Sequence, residues 1–450
     1  MRIKQLVLAG AVFLFLGANP LAAASLSSAV GGLPSSAGYD STMMPEGLEV
    51  SPDSAFGQTW NYLHPYFSLG EYYTDNLFNT EDNQESDFVT VITPGIWFSL
   101  PAGRQPLLDV ETLNTAPGGF ELTRFDTEAP RRMQAYALYR ANINRHADFS
   151  EENTVNHRGE GVFRYNFRGG LSLELLDIYE VEQDPYATGN SRQLNEFTSN
   201  VLNALAVYRI TPKTRLRADY SWYTLSYDET AERFRDRDDN GFSLFAFHQF
   251  WPKTSLFLEY EFVDIDYDRD LLPDSQEHHY FAGVLWDASE KLRLQGKLGY
   301  GVKQFDGRLR DPDDNHDFIG EARLDYHFTP KTSVALITTR QVNETDILAG
   351  PSNVLTHRVG VAYSQRITSK VRAIADLNYI RDSYRGGDVV VNLETGKRRD
   401  NYYSAGLALG FSLRKWLNLS AGYNYVERDS NFDSSDYQSN IFLLTLTAAI

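Results

Sequence analysis

The stretch Arg215-Leu216-Arg217-Ala218-Asp219-Tyr220-Ser221-Trp222-Tyr223-Thr224 decides the fold. Leu216, Ala218, Tyr220 and Trp222 alternate with Arg215, Arg217, Asp219 and Ser221, a strict period of two. Only an extended strand sends every second side chain to the same face, so this strand has one apolar face and one charged face. The alternation returns in Leu292 to Tyr300, where Leu292, Leu294, Leu298 and Tyr300 alternate with Arg293, Gln295 and Lys297. It returns again where Ala322, Leu324, Tyr326 and Phe328 alternate with Glu321, Arg323, Asp325 and His327.

Tight turns follow such runs at Thr211-Pro212-Lys213-Thr214, Trp251-Pro252-Lys253-Thr254, Asp287-Ala288-Ser289-Glu290, Thr329-Pro330-Lys331-Thr332, Thr368-Ser369-Lys370 and Arg414-Lys415-Trp416. Their spacing of about 40 residues also suits propeller or helical repeats, but the period of two inside each unit selects strands. The other strand ends are joined by longer hydrophilic segments at 228–240, 268–277, 306–317 and 381–399. Short turns at one end, long polar loops at the other and aromatic residues near the strand ends are the pattern of an outer-membrane barrel. The aromatics alone fit ordinary β-core packing equally well. Runs of this kind, from Tyr62 to a last one near Gln438 and including starts near Gly241 and Tyr280, number 18 in our reading. The fold class is therefore all-β, a transmembrane antiparallel up-and-down barrel of 16–18 strands with an aqueous lumen. The last run places Phe442, Leu444, Leu446, Ala448 and Ile450 on one face.

Composition bounds the alternatives. The 450 residues contain 42 Lys+Arg, 60 Asp+Glu and no cysteine, and 13% are aromatic. No disulfide scaffold, thiolate metal site or cysteine nucleophile is available. A formal charge of −18 argues against a nucleic-acid partner, which needs clustered Lys and Arg. After the first residues no apolar run approaches the ~18 residues of a spanning helix.

The N-terminus reads as a secretory signal peptide over 1–24: Arg2 and Lys4, an apolar Leu6 to Leu16, and Leu21-Ala22-Ala23-Ala24. Cleavage leaves 40 basic residues against 60 acidic, a charge of −20. Residues 25–59, rich in Ser, Gly, Ala and Pro, read as a flexible periplasmic leader, and the barrel spans 60–450. The segment 103–132 is too long for a hairpin turn and is expected as a periplasmic insertion or partial plug.

Period two places Arg215, Arg217, Asp219, Glu259, Glu261, Arg293, Lys297, Glu321, Arg323, Asp325, Arg372 and Asp376 toward the lumen. With both signs abundant, pairing across strands is expected, and no net charge selectivity follows.

Gly70-Glu71-Tyr72-Tyr73-Thr74-Asp75-Asn76-Leu77-Phe78, then Ser86-Asp87-Phe88-Val89-Thr90-Val91-Ile92-Thr93-Pro94-Gly95-Ile96, resembles the opening hairpin of the putative β-barrel porin 2 family. Glu71, Tyr73, Asp75 and Asn76, with Asp87, Phe88, Pro94 and Gly95, carry the resemblance. It implies residence in the bacterial outer membrane among lipid and lipopolysaccharide, and a channel for exopolysaccharide export. It also implies a periplasmic polysaccharide-export protein as partner. For Asp75 and Asn76 the plain reading is local hydrogen bonding at the start of a loop, against ligand contact.

Enzymatic sites are not expected. Asp236-x-Asp238-x-Asn240-Gly241 opens like a calcium loop, but its twelfth position is Phe247; Asp311-x-Asp313-x-Asn315 ends on Ala322. His278 and His279 point to opposite faces of a strand and cannot share a metal. No nucleophile elbow, phosphate loop or zinc-protease helix occurs, so catalytic, cofactor and metal residues are all assigned as none. The alternatives to export are a general diffusion porin for small solutes, which predicts steady conductance and a constricting loop, and a structural barrel.

Overall fold

The computed structural model describes residues 62–100, 132–184, 194–306, 312–348, 350–391 and 394–449. The signal peptide, the leader and, apart from Arg132, the 103–132 segment lie outside these residues. The strands are β1 (Leu63–Thr74), β2 (Asp87–Leu100), β3 (Met133–His146), β4 (Thr154–Asn166), β5 (Leu171–Gln183) and β6 (Glu196–Thr211). There follow β7 (Thr214–Tyr227), β8 (Arg237–Trp251), β9 (Thr254–Tyr267), β10 (Asp274–Trp286), β11 (Leu292–Asp306), β12 (Asn315–Thr329) and β13 (Thr332–Asn343). The chain ends with β14 (Asn353–Arg366), β15 (Val371–Arg385), a small hairpin of β16 (Val389–Val391) and β17 (Glu394–Gly396), then β18 (Arg399–Arg414), β19 (Leu417–Ser430) and β20 (Tyr437–Ala449).

Without the small hairpin, the 18 strands form one antiparallel sheet in which each strand pairs with its neighbours in sequence. β1 also pairs with β20, from Tyr66↔Ala449 to Thr74↔Ile441, so the sheet closes on itself and has no free edge. The outer face is apolar and uncovered: Leu298 is 68% exposed and Phe318 67%, while the adjacent Ile319 is 1%. A wide band of exposed Leu, Phe, Tyr and Trp is what a barrel presents to lipid rather than to water.

Local chemistry explains both ends. At the turn end, a hydroxyl accepts the backbone N–H two residues on: Thr211 from Lys213 (3.2 Å), Ser289 from Lys291 (3.1 Å), Thr329 from Lys331 (3.0 Å) and Thr368 from Lys370 (3.1 Å). This bond bends the chain back within two to four residues. At the loop end, a carboxylate at or before the returning strand accepts the last N–H of the outgoing one: Asp236 from Tyr227 (2.7 Å), Asp274 from Tyr267 (2.8 Å) and Asp436 from Ser430 (2.6 Å).

The loops are shorter than the sequence predicts. β8 starts at Arg237 rather than Gly241 and β10 at Asp274 rather than Tyr280. Beyond the lipid-facing band the outward positions turn polar, as at Asp238, Asp264, Asp266 and Gln276, yet the ladder continues, with Asp274 still paired to Asp306. Polarity marks where the membrane ends, whereas hydrogen bonding marks where the strand ends.

Candidate channel lumen and its outer mouth

Burial alternates along each strand against the exposed apolar positions, and it puts the charged residues on the covered, inner face. On β7, Arg217 Nε donates to both oxygens of Asp219 at 2.8 Å, and its guanidinium lies 4.8 Å from the Phe245 ring centre. Arg215 sits 4.6 Å over Phe247. Lys297 of β11 reaches across β10 to Glu259 of β9 at 2.9 Å and lies 4.3 Å over Phe281. Glu261 binds His279 Nδ1 at 2.9 Å, and His279 Nε2 meets Glu277 at 3.2 Å. Arg323 pairs with Asp325 at 2.9 Å, while Glu321 lies in the field of Lys297. Asp376 accepts from Asn378 at 3.0 Å. Arg293 and Arg372 sit apart at the turn end: Arg293 makes an exposed pair with Asp287 at 2.9 Å, and Arg372 lines a small depression with His327 and Arg366. Period two cannot say which of these residues touch. Pairs skipping a strand, such as Lys297 with Glu259, depend on curvature that a sequence does not display.

The hairpin that carries the family resemblance fastens the barrel. Asp75 accepts from the backbone N–H of Asn440 (2.7 Å) and from its side-chain amide (2.6 Å). Asn76 donates to the carbonyls of Thr80 and Gln438, both at 2.8 Å. The expected local bonds are therefore joined by bonds to β20, across the closing seam. Glu71 accepts from Thr90 (2.6 Å), Asp87 binds His146 (2.8 Å), and Tyr73 packs between Phe88 and Phe442 on the outside. At Pro94, which has no N–H to donate, the β2–β3 pairing skips a step. At Gly95 a side chain would overlap the Tyr66 ring, which lies over the glycine as Phe257 lies over Gly283.

The mouth is almost invisible to period-two reading. After β13, Glu344, Thr345, Asp346 and Ile347 are all buried. Glu344 accepts from Tyr267 of β9 (2.8 Å) and pairs with Lys303 of β11. Asp346 accepts from Tyr384 of β15 (3.3 Å) and lies in the fields of Arg235 and Arg398. Arg235, before β8, pairs with Asp184, after β5, at 2.5 Å; Arg398 pairs with Asp400 at 2.7 Å. Burial pushes the Asp346 carboxyl above its ordinary range, with Arg235 and Arg398 opposing that shift. β9 and β13 are four spacings apart, ~19 Å along the wall. A loop after β13 that touches Tyr267 has therefore left the wall and entered the bore. The one available hint was Ile347-Leu348, an apolar pair inside a polar segment; Ile347 packs with Val354, Tyr384, Val389 and Phe432.

The Asp236–Gly241 segment is no cation loop. Asp238 and Asn240 face outward from an extended strand, while Asp236 caps Tyr227. Asp311 lies outside the described residues, so its motif has no structural account. His278 faces out, 2.9 Å from the Tyr260 hydroxyl, while His279 faces in. Among the described residues no group of three or more His, Asp or Glu is placed to hold a metal.

Solved structures similar in fold include the outer membrane protein OpdK of Pseudomonas aeruginosa (11% identity, TM-score 0.44, 86% of this chain and 99% of that one). OccAB3 of Acinetobacter baumannii has 12% identity and a TM-score of 0.42, covering 86% of this chain and 99% of that one. OprD of Pseudomonas aeruginosa has 10% identity and a TM-score of 0.43, covering 89% and 98%. No curated protein matches the chain. The model of the putative β-barrel porin 2 family matches residues 131–450, a stretch that excludes the 70–96 hairpin on which the resemblance was read. With a closed 18-stranded barrel, a lipid-facing band and that match, the chain belongs to the putative β-barrel porin 2 family and is an outer-membrane β-barrel porin.

Proposed function

We propose that the barrel is a diffusion channel for small solutes, narrowed at its outer mouth by the 344–352 segment. The observation that carries this reading is the reach of Glu344 from the end of β13 to Tyr267 and Lys303. A closed sheet of this strand number encloses a bore wide enough for water. A loop folded into the bore, with paired charges below it, reduces the bore to a size that suits small polar molecules. Acids and bases are interspersed on the inner face, many of them paired, which offers a solute hydrogen-bonding partners of both signs.

Export of exopolysaccharide, together with a periplasmic partner protein, was the implication of the resemblance in sequence. Nothing in the lumen favours it: the family description names a porin, and a mouth crossed by side chains from four loops suits a threaded polymer poorly. Swelling of proteoliposomes in graded sugars tests the choice. Monosaccharides are expected to enter and long dextrans to be excluded, and deletion of residues 345–351 is expected to raise the size limit. Passage of dextran through the intact protein, or no entry of monosaccharide, would overturn the proposal.

A further inference from the structure

The chain is strongly acidic, and its outer rim is acidic over β8–β11, where Asp238, Asp264, Asp266, Asp274 and Asp306 cluster. The neighbouring sector of the outward face, over β13–β15 and β18, carries a basic cluster. Pairing aligns Arg340 of β13 with His357 of β14, and His357 with Arg381 of β15, in one row across the outward face. Arg385 lies four residues further up β15, and the exposed Arg399 faces Ser383 in the row between them. His357 lies in the combined field of Arg340, Arg381 and Arg385. Among the described residues, Asp317 lies 3.4 Å from Arg340 and 2.7 Å from Arg385, Asp429 continues the row beyond Asn401, and Glu427 stands one row toward the turn end. Arg340, Arg381, Arg385 and Arg399 outnumber these three acids by one.

Height decides what this charge meets. One row toward the turn end stand Val359, Tyr379 and Tyr403, with the two tyrosine rings 5.3 Å apart. Val359 and Tyr403 are exposed on the lipid-facing side. Tyrosines of this kind mark the boundary between hydrocarbon and headgroups. The arginines therefore start at the level of the headgroups, on the outside of the barrel, with the Arg340 and Arg385 side chains each about one-third exposed. Guanidinium groups bind phosphate in a two-pronged geometry, and clustered basic residues at a membrane surface collect anionic lipid.

We propose that Arg340, Arg381, Arg385 and Arg399 hold a phosphate of an outer-leaflet glycolipid against this sector of the barrel. The acidic sector over β8–β11 repels the same headgroup, so the lipid is bound on one side. This site is independent of whether the barrel conducts. Arg340 also has a structural duty: pairing of β12 with β13 begins only at Gly320↔Arg340, and Arg340 Nε donates to the Phe318 carbonyl at 2.6 Å beside that gap. It is best left intact in a test.

Native mass spectrometry of the full barrel released from detergent, with lipopolysaccharide carrying diphosphorylated lipid A as probe, reads the site directly. Wild type is expected to retain lipid adducts, and the R381Q/R385Q/R399Q variant to lose more than ~10-fold of them. The same lipid stripped of phosphate is expected to bind wild type as weakly as it binds the variant. An acidic-sector control, D264N/D266N, keeps its adducts. Folding of each variant is checked by its heat-modifiable gel mobility. If the triple variant fails that check, R381Q alone is read in its place, with a loss of several-fold expected. Adducts on the folded variant equal to those on wild type, or equal binding of phosphate-free lipid, would overturn the proposal.

Discussion

Asp346 lies in the segment that follows β13. It is buried, hydrogen-bonded to Tyr384, and held between the fields of Arg235 and Arg398, yet burial still raises its carboxyl above the ordinary range. In an open mouth the group meets water and returns to that range. The closed form thus binds a proton more tightly than the open one, and acidification toward the carboxylate range favours closure. Conductance is expected to fall on acidification, and Asp346→Asn, neutral throughout, is expected to show lower conductance with less dependence on pH. A wild-type channel that opens on acidification would contradict this. Lys297 poses a second test at the same scale. Lys297→Met leaves Glu259 buried without its lysine and is expected to cost ~3–5 kcal/mol in urea unfolding from lipid vesicles. Adding Glu259→Gln is expected to recover much of that loss, because two neutral groups need no counter-charge.

Among the elements, the β1–β20 seam is the one contact in the barrel made between the two ends of the described chain. Asn76 and Asp75 secure it at the loop end through Gln438 and Asn440. Asn76→Ala leaves the Thr80 and Gln438 carbonyls without their donor and is expected to cost ~1–3 kcal/mol. Heat-modifiability on gels checks it: the folded band should melt at a lower temperature, and an unchanged melting point would dismiss the seam role. The strands themselves were legible in the sequence. Leu216, Tyr220 and Trp222 against Arg217 and Asp219 needed only their period to give both the strand and its inner face. The partners of the inner face were not legible, because Lys297 finds Glu259 through sheet curvature and Glu344 finds Tyr267 through a loop that leaves the wall. Composition also misled at the loop end. Asp274 to Glu277 reads as polar loop, although the ladder carries it as strand beyond the lipid.

At the scale of the whole molecule, the acidic excess divides between an inner face where acids are matched by bases and an outer rim where they are not. Topology follows from the same asymmetry: short turns face the periplasm and loops face outside. The absence of cysteine makes this directly testable. Ser434→Cys in the loop before β20 should react with an impermeant maleimide on intact cells, whereas Lys331→Cys in the turn before β13 should react only after the outer membrane is opened. The reverse labelling would invert the barrel. The central claim, a conducting pore narrowed by the segment after β13, is tested most directly by single-channel recording in planar bilayers. Wild type is expected to give steady unitary currents and the 345–351 deletion distinctly larger ones. Equal unitary currents, or a silent bilayer with both proteins, would contradict the account.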